Sequence, residues 1–235
     1  MQPSTGVEPR IDDELELLAE LLPLAGLDIV ELGCGAADLA RALVRRYPDS
    51  RVTGLEVDQR QHAKNLAAPQ AGLQFMAGAA QAIPLGDASF DLALMLKSLH
   101  HVPVPSMAPA LDEVARVLRP LGHLYVSEPV YEGAFNDVVR LFNDEGVVRE
   151  AAQTALDAAL RTGVWTQVAE RRFVVPLSFA DFDDFEQRLM RPTYAEHAID
   201  AATLVRVRAA FEPHARCGGA HFLRPMHARL LRREG

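Results

Sequence analysis

The stretch ELGCGAADLA, residues 31–40, decides how the chain is interpreted, because a pair of glycines follows an apolar run directly. Glycines at the end of a strand allow a tight turn into a helix, whose free backbone amides bind anionic groups. Two residues depart from the fingerprint of dinucleotide sites. Glu31 precedes Gly33 by two positions, and Asp38 stands where that fingerprint has a third glycine or alanine. The ligand of this turn must therefore tolerate a carboxylate at the strand end.

Short apolar runs alternate with helical segments around this turn. Five runs indicate strands, and they are LDIVEL (27–32), RVTGLEV (51–57), LQFMA (73–77), FDLALML (90–96) and HLYVSE (123–128). Helices are expected over 11–22, after the glycine turn as far as Pro48, and over 58–67 and 107–118. This alternation predicts right-handed crossovers and a parallel sheet.

The regular alternation of short strands and helices stops beyond Glu128. Residues 132–163 are helical in composition, with Gly146 as a break, and VAERRFVV (168–175) follows. Further helices are expected from Ser178 as N-cap and from Asp200 to Phe211. A last strand lies within 220–233, where Pro225 indicates an edge position or a bulge. The helically spaced Phe179, Phe182 and Phe185 indicate core packing.

Composition limits the classes of function. The chain has 235 residues, 49% of them hydrophobic, and a formal net charge of −8, which argues against sequence-independent nucleic-acid binding. Two cysteines without clustering, Cys34 and Cys217, favour neither a disulfide framework nor a metal site. No apolar run approaches the length of a membrane span, and MQPSTGVEPR lacks the pattern of a secretory signal, so we expect a cytoplasmic protein.

The acidic residues at the strand ends select the ligand. Ligands of open parallel sheets lie beyond the carboxyl ends of the strands. There Glu31 would repel a pyrophosphate and attract an ammonium group, while backbone amides at the helix start suit a carboxylate. Glu56, at the end of the second strand, is placed to accept both hydroxyls of a ribose. A nucleoside with an amino-acid tail and no phosphate fits, and S-adenosylmethionine is the common metabolite of that kind.

These motifs resemble those of the class I (Rossmann-like) S-adenosylmethionine-dependent methyltransferases, of the small-molecule group called type 11 and similar to the ubiquinone/menaquinone-biosynthesis enzymes. The matching segments are ELGCG, VTGLEVD, GAAQAIPLGDASFDLALMLKSLHHV (78–102) and LDEVARVLRPLGHLYVSEP (111–129). The resemblance implies an α/β fold with a doubly wound, mostly parallel seven-stranded sheet, an antiparallel last strand and a helical insertion after strand five. The sequence differs from the family pattern at Ala37 and Leu121, where relatives have glycine. It also differs at Ala79, where relatives carry an aspartate that accepts a hydrogen bond from adenine.

The site residues follow from this resemblance. The expected cofactor-binding residues are Glu31, Gly33, Gly35, Glu56, Val57, Ala79, Ala80 and Leu96. Backbone groups near Ala79 and apolar walls such as Val57 and Ile83 would hold adenine. No catalytic residue can be named, because methyl transfer needs a base only where the acceptor loses its proton early; the candidates are His100, His101, Glu128 and Tyr131. No metal is expected.

We expect one domain, with an N-terminal lead-in (1–26), a cofactor-binding half (27–129), a helical cap (130–166) and C-terminal strands and helices (167–235). The expected function is methyl transfer from S-adenosylmethionine to a small-molecule acceptor by in-line displacement, in a monomer or homodimer. Two alternatives stay open: a protein that binds the cofactor without catalysis, and a nicotinamide-dependent oxidoreductase, which Glu31 and Asp38 disfavour. The acceptor itself is not predicted.

Overall fold

The computed structural model describes residues 8–191 and 199–235. The helices are α1 (Glu14–Leu21), α2 (Asp38–Arg46), α3 (Gln59–Leu66), α4 (Met107–Val117), α5 (Gly133–Val139), α6 (Gly146–Arg161), α7 (Phe182–Phe185) and α8 (Ala201–Phe211). The strands are β1 (Asp28–Leu32), β2 (Arg51–Glu56), β3 (Leu73–Ala77), β4 (Phe90–Leu96), β5 (Leu118–Pro129), β6 (Trp165–Phe179), β7 (Ala215–Arg216) and β8 (Gly219–Arg233). A π-helical turn, Glu186–Met190, follows α7 directly.

The sheet has the strand order β3-β2-β1-β4-β5-β8-β6, with β7 paired to β8. The pairs among β1 to β5 are parallel, and β7 runs antiparallel to β8. The order reverses at β1, because the chain moves outward through β2 and β3 and then returns to the other side of β1 as β4. The loops after β1 and β4 therefore meet where open α/β sheets bind ligands. This confirms the predicted mostly parallel sheet with an antiparallel last strand, and the short β7 brings the strands to eight where seven were predicted.

The described chain forms two compact units. The first unit comprises Glu14–Glu128, Val147–Glu170 and Ala228–Gly235, and the second comprises the described residues of Met1–Asp13, Pro129–Gly146 and Arg171–His227. Strands β6 and β8 each contribute residues to both. The predicted division into lead-in, cofactor-binding half, cap and C-terminal region stays a prediction.

The core of the first unit lies between the parallel strands and their helices. Strand β1 is buried from Ile29 to Leu32, as its almost continuous apolar sequence predicts for a strand covered on both faces. Helix α2 places Ala40, Leu43 and Val44 against the sheet. The predicted strands over 73–77 and 90–96 are confirmed residue for residue.

The second unit has its own core, built largely from phenylalanine. Phe135, Phe179, Phe182, Phe185, Phe211 and Phe222 are buried in one cluster, which confirms the core interpretation of the three helically spaced phenylalanines. One detail of the prediction is wrong, and one of two alternatives for another is excluded. Asp181 rather than Ser178 caps α7, because β6 continues to Phe179 and Asp181 accepts the N–H of Asp184. Strand β8 has neighbours on both sides, which excludes the edge position that Pro225 indicated as one of two alternatives, and the bulge stays a prediction. The carbonyl of Pro225 accepts the N–H of Val130.

No helix among the described residues combines the length and the apolar character needed to cross a bilayer. Cys34 is a buried free cysteine, and Cys217 is an exposed one.

Candidate functional site

The glycine turn leaves β1 in a left-handed conformation that explains its composition. Gly33, Gly35 and Ala37 have φ values of 69°, 53° and 60°. A β-carbon on Gly33 would lie 2.9 Å from Cβ of Ser98, whereas one on Gly35 would meet no atom within 4 Å. The turn is thus packed tightly at Gly33 and leaves space beside Gly35. Ala37 adopts its conformation without a glycine, at a cost of about 1 kcal/mol.

Glu31 is a buried carboxylate beneath the first turn of α2. Its side chain is 5% exposed, and the backbone N–H of Ala40 donates to it. Burial raises the pKa of Glu31 to about 8, although the Ala40 N–H and the charge of Lys97 act in the opposite direction. Its Oε2 atom has no hydrogen-bond partner within residues 8–191 and 199–235. The structure therefore presents a buried carboxyl oxygen without a hydrogen-bond partner among the described residues.

Glu56 joins the end of β2 to the glycine turn. Its Oε2 accepts the N–H of Gly35 at 2.7 Å, and its Oε1 accepts the N–H of Asp58 at 2.8 Å. A carboxylate offers about four acceptor positions, so each oxygen keeps one for a further donor. The side chain is 7% exposed. The structure thus brings together Gly35 and Glu56, two residues that the sequence assigned to one ligand.

Asn65 also holds the glycine turn, and the sequence analysis missed it. This α3 side chain is 2% exposed, and its Nδ2 donates to the carbonyl of Gly35 at 2.8 Å. Its Oδ1 accepts from Gln61 at 3.1 Å. The Gly35 residue is therefore fixed through its N–H by Glu56 and through its C=O by Asn65. The one available signal was an amide on the apolar side of a short amphipathic helix.

Two side chains of α4 hold the loop after β3 through hydrogen bonds to its backbone. Glu113 accepts the N–H of Ile83 at 2.9 Å, and Arg116 donates to the carbonyls of Ile83 and Leu85, both at 2.9 Å. Mutual hydrogen bonding lowers the pKa of Glu113 and raises that of Arg116. Both side chains therefore stay charged near neutral pH.

The predicted adenine wall belongs to this region. Ala79 and Ala80 are half-buried, and the carbonyl of Ala79 accepts the N–H of Ala82 at 3.0 Å in a turn. Ile83 is buried, whereas Val57 at the end of β2 is 61% exposed. Neither alanine has a side-chain acceptor, so recognition of an adenine amino group would depend on backbone carbonyls.

A buried pair connects the ends of β4 and β5. Nδ1 of His100 is hydrogen-bonded to Oε2 of Glu128, and Oε1 of Glu128 accepts the N–H of Leu99 at 2.9 Å. The two side chains are 4% and 1% exposed. The carboxylate thus fixes the orientation of the imidazole ring. The structure brings these two catalytic candidates together.

The other candidates have different surroundings. The His101 ring is exposed, and its centroid lies 4.0 Å from that of His100. Tyr131 belongs to the second unit, where its hydroxyl donates to Asp144 at 2.8 Å and this bond raises its pKa. Leu96 is half-buried at the end of β4.

Comparisons with known proteins agree with this architecture. Residues 30–126 match a family described as a methyltransferase domain. The O-methyltransferase cnsE of Penicillium expansum is 34% identical over 122 residues, which are 49% of this chain and 42% of that protein. The fatty-acid O-methyltransferase of Mycolicibacterium smegmatis is 36% identical over 44% of this chain and 37% of its own length. The 27-O-demethylrifamycin SV methyltransferase of Amycolatopsis mediterranei is 35% identical over 47% of this chain and 42% of its own length. The chain spans less than half the length of each of these relatives.

Solved structures share the fold over nearly the whole chain. The YcgJ protein of Bacillus subtilis has a TM-score of 0.68 at 18% identity and covers 94% of this chain and 98% of its own. The 4+2 cyclase SpnF has a TM-score of 0.60 at 21% identity, with coverage of 93% and 79%. Because one neighbour is named a cyclase, the fold alone assigns no reaction. The family match falls on the parallel strands and the loops at their carboxyl ends, and over these residues the chain is similar to the methyltransferase domain.

Proposed function

We propose that the chain transfers a methyl group from S-adenosylmethionine to a small-molecule acceptor. The observation that carries this proposal is the state of Glu31, a buried carboxylate with an unpartnered oxygen beside a glycine turn. A pyrophosphate placed there would oppose ionisation of this carboxyl group and would offer its unpartnered oxygen no donor. An ammonium group would supply the missing donor and the opposite charge. An amino-acid tail therefore fits where a dinucleotide does not.

The remaining residues suit the other parts of this cofactor. The free acceptor positions of Glu56 suit the two ribose hydroxyls, and the open space at Gly35 admits the ligand to the turn. Ala79, Ala80 and the exposed Val57 would border adenine. Gly33 and Leu96, at the ends of neighbouring strands, would border the methionine part.

Bound S-adenosylmethionine would supply a methyl group on a sulfonium leaving group. The protein's contribution is then to hold the acceptor atom in line with that bond. Among His100, His101, Glu128 and Tyr131, we favour the His100–Glu128 pair for orienting or deprotonating an acceptor, since a carboxylate already fixes the ring. The relatives named O-methyltransferases support an oxygen atom as the acceptor.

The protein's surroundings are part of the same proposal. We propose that it works in the cytoplasm, where its two free cysteines would stay reduced, as a monomer or homodimer without nucleic-acid partners.

Thermal unfolding with S-adenosylhomocysteine and with NAD tests the cofactor. The first ligand at a hundred times its Kd should stabilise the protein by about 2.7 kcal/mol, and NAD should not. Glu56→Gln, which loses one carboxylate acceptor, should weaken S-adenosylhomocysteine binding at least about tenfold. Glu20→Gln on the exposed surface of α1 is the control and should bind as the wild type does.

A melting temperature that responds to NAD alone would overturn the assignment. Transfer of labelled methyl groups to an extract of small molecules then separates enzyme from binder. Cofactor binding without labelling of any acceptor would favour the non-catalytic alternative.

A further inference from the structure

One arginine of α4 holds the loop between β3 and β4 with all of its hydrogen-bond donors. A guanidinium group has five N–H donors. In Arg116, Nη2 donates to the carbonyl of Ile83 and Nη1 to that of Leu85, both at 2.9 Å. The other donors bond to Glu113 through Nε and Nη2, each at 2.8 Å, and to Asp87 through Nη1 at 2.6 Å. The orientation of the guanidinium plane is therefore fixed, and with it the two loop carbonyls.

The two carbonyls lie on either side of a proline that packs against the start of the same loop. Pro84 separates Ile83 from Leu85 in the sequence. A β-carbon on Gly78 would lie 2.9 Å from Cδ of Pro84, so no larger side chain fits at Gly78 unless the proline shifts. The hydrogen bonds from α4 thus constrain, through Pro84, the residue directly before Ala79.

The turn that would border adenine begins at this point. The carbonyl of Ala79 accepts the N–H of Ala82 at 3.0 Å, and neither Ala79 nor Ala80 has a side-chain acceptor. An adenine amino group would therefore be recognised by main-chain carbonyls, whose direction is set by the backbone and not by a rotatable side chain. Selection of the base then depends on how accurately the loop is held.

Another arginine nearby in the sequence has a purely structural environment. Arg119, at the start of β5, donates through Nη2 to Asp28 at 2.9 Å, and its Nη1 lies 2.8 Å from Oδ2 of Asp91. Asp28 is the first residue of β1, so these ion pairs lie at the amino end of the parallel strands, opposite the glycine turn. The acceptors there are carboxylates, whereas Arg116 also bonds loop carbonyls at the carboxyl end.

We propose that Arg116 is a positioning residue that sets the selectivity of the protein for the adenine base of S-adenosylmethionine. It acts through Pro84 and Gly78 on the backbone at Ala79. This inference rests on the proposed function and adds to it a residue of α4 that would not touch the cofactor. A purine with a carbonyl in place of the amino group would present an acceptor to the loop carbonyls, and a firmly held loop could not move to avoid it.

The test measures calorimetric binding of S-adenosylhomocysteine and S-inosylhomocysteine, which differ only in the purine. Hypoxanthine carries a carbonyl where adenine carries its amino group. The wild type should bind the adenine compound at least about tenfold more tightly. Arg116→Lys keeps a positive charge beside Glu113 but has three donors on a single nitrogen, so it cannot hold both loop carbonyls in the same way. It should bind S-adenosylhomocysteine about tenfold more weakly and S-inosylhomocysteine nearly as the wild type does, so that the preference falls towards one.

Two matched pairs of variants separate positioning from stability. Arg119→Lys should lower the melting temperature as Arg116→Lys does, but it should leave the preference between the two probes unchanged. Gly78→Ala, which displaces Pro84 while leaving the guanidinium intact, should also reduce the preference. Gly86→Ala in the same loop is its control, because a β-carbon there would meet only the Ser89 side chain, with Oγ at 3.4 Å.

The inference is overturned if Arg116→Lys keeps the preference of the wild type, or if it loses affinity for both probes equally, which would indicate a general defect of the fold. A wild type that binds both probes equally would overturn it as well. If the wild type binds neither probe, the proposed function itself fails. That result differs from a wild type that prefers the adenine compound and an arginine variant that makes no difference.

Discussion

Glu31→Gln should make the protein more stable at pH 8 than the wild type, and the gain should shrink as the pH falls. In the folded chain Glu31 keeps its proton up to about pH 8, whereas an unfolded glutamate loses it near pH 4.5. Between these values the folded state binds more protons than the unfolded state. The free energy of unfolding therefore decreases as the pH rises through this window and levels off above the folded pKa.

The expected size follows from the width of the window. Each pH unit within it costs the wild type about 1.4 kcal/mol, so the penalty from Glu31 grows by about 4 kcal/mol between pH 5 and pH 8. The variant has no group to ionise at this position. Its amide can still accept the N–H of Ala40, and any cost of burying the amide nitrogen is the same at both pH values. The change in the difference between variant and wild type is thus the informative quantity.

Urea unfolding of both proteins at pH 5, 6.5 and 8 measures this quantity. Glu20→Gln, at an exposed position of α1, is the control and should leave the pH dependence of the wild type unchanged. A stability difference between Glu31→Gln and the wild type that stays constant from pH 5 to pH 8 would refute the reasoning.

In parallel, wild-type affinity for S-adenosylhomocysteine should rise between pH 6 and pH 7.5 by at most about tenfold per unit, since the ammonium selects the ionised carboxylate. The variant should bind weakly and without this slope.

Three further substitutions test separate features. Leu121→Gly should raise the free energy of unfolding in urea by about 1 kcal/mol, because Leu121 is exposed at a left-handed φ of 65°; a lower midpoint would contradict this. Asn65→Ala, which leaves the Gly35 carbonyl without its donor, should lower stability by about 1–2 kcal/mol and also weaken S-adenosylhomocysteine binding; unchanged affinity would separate Asn65 from the site. Glu128→Ala should cost about 3 kcal/mol by breaking the buried pair with His100, and Glu128→Gln, which keeps an acceptor, should cost less; equal losses would argue against the pairing.

The parallel half of the fold was predictable because its strands are buried on both faces. Such strands are short apolar runs closed by polar or glycine residues, and both β3 and β4 coincide with their predicted runs. Beyond Glu128 the prediction weakens. The segment SFADFDDF contains two N-cap residue types, Ser178 and Asp181, and local sequence could not choose between them. Pairing of β6 with β8 keeps the backbone extended through Phe179, so the helix begins after Asp181.

The sequence identified those site residues whose side-chain type indicates a chemical role. It did not identify a residue whose role depends on how a helix packs. Carboxylates at strand ends identified Glu31 and Glu56, and both lie at the glycine turn. Asn65 is distant in sequence, and its contact with Gly35 depends on how α3 packs beside the turn.

Two different features lower the stability of this fold, namely strained backbone positions and a buried polar atom without a partner. Ala37 and Leu121 occupy left-handed positions, and Leu121→Gly would relieve strain without touching the ligand. Glu31 instead carries a buried oxygen without a hydrogen-bond partner in the described chain, and no change of backbone conformation relieves that cost. Glu31→Gln should therefore stabilise the free protein near pH 8 and weaken its binding of a ligand with an amino-acid tail. Stability that rises as affinity falls is therefore the signature that separates site residues from merely strained ones, and Leu121→Gly, which should raise stability with affinity unchanged, is the comparison that tests it.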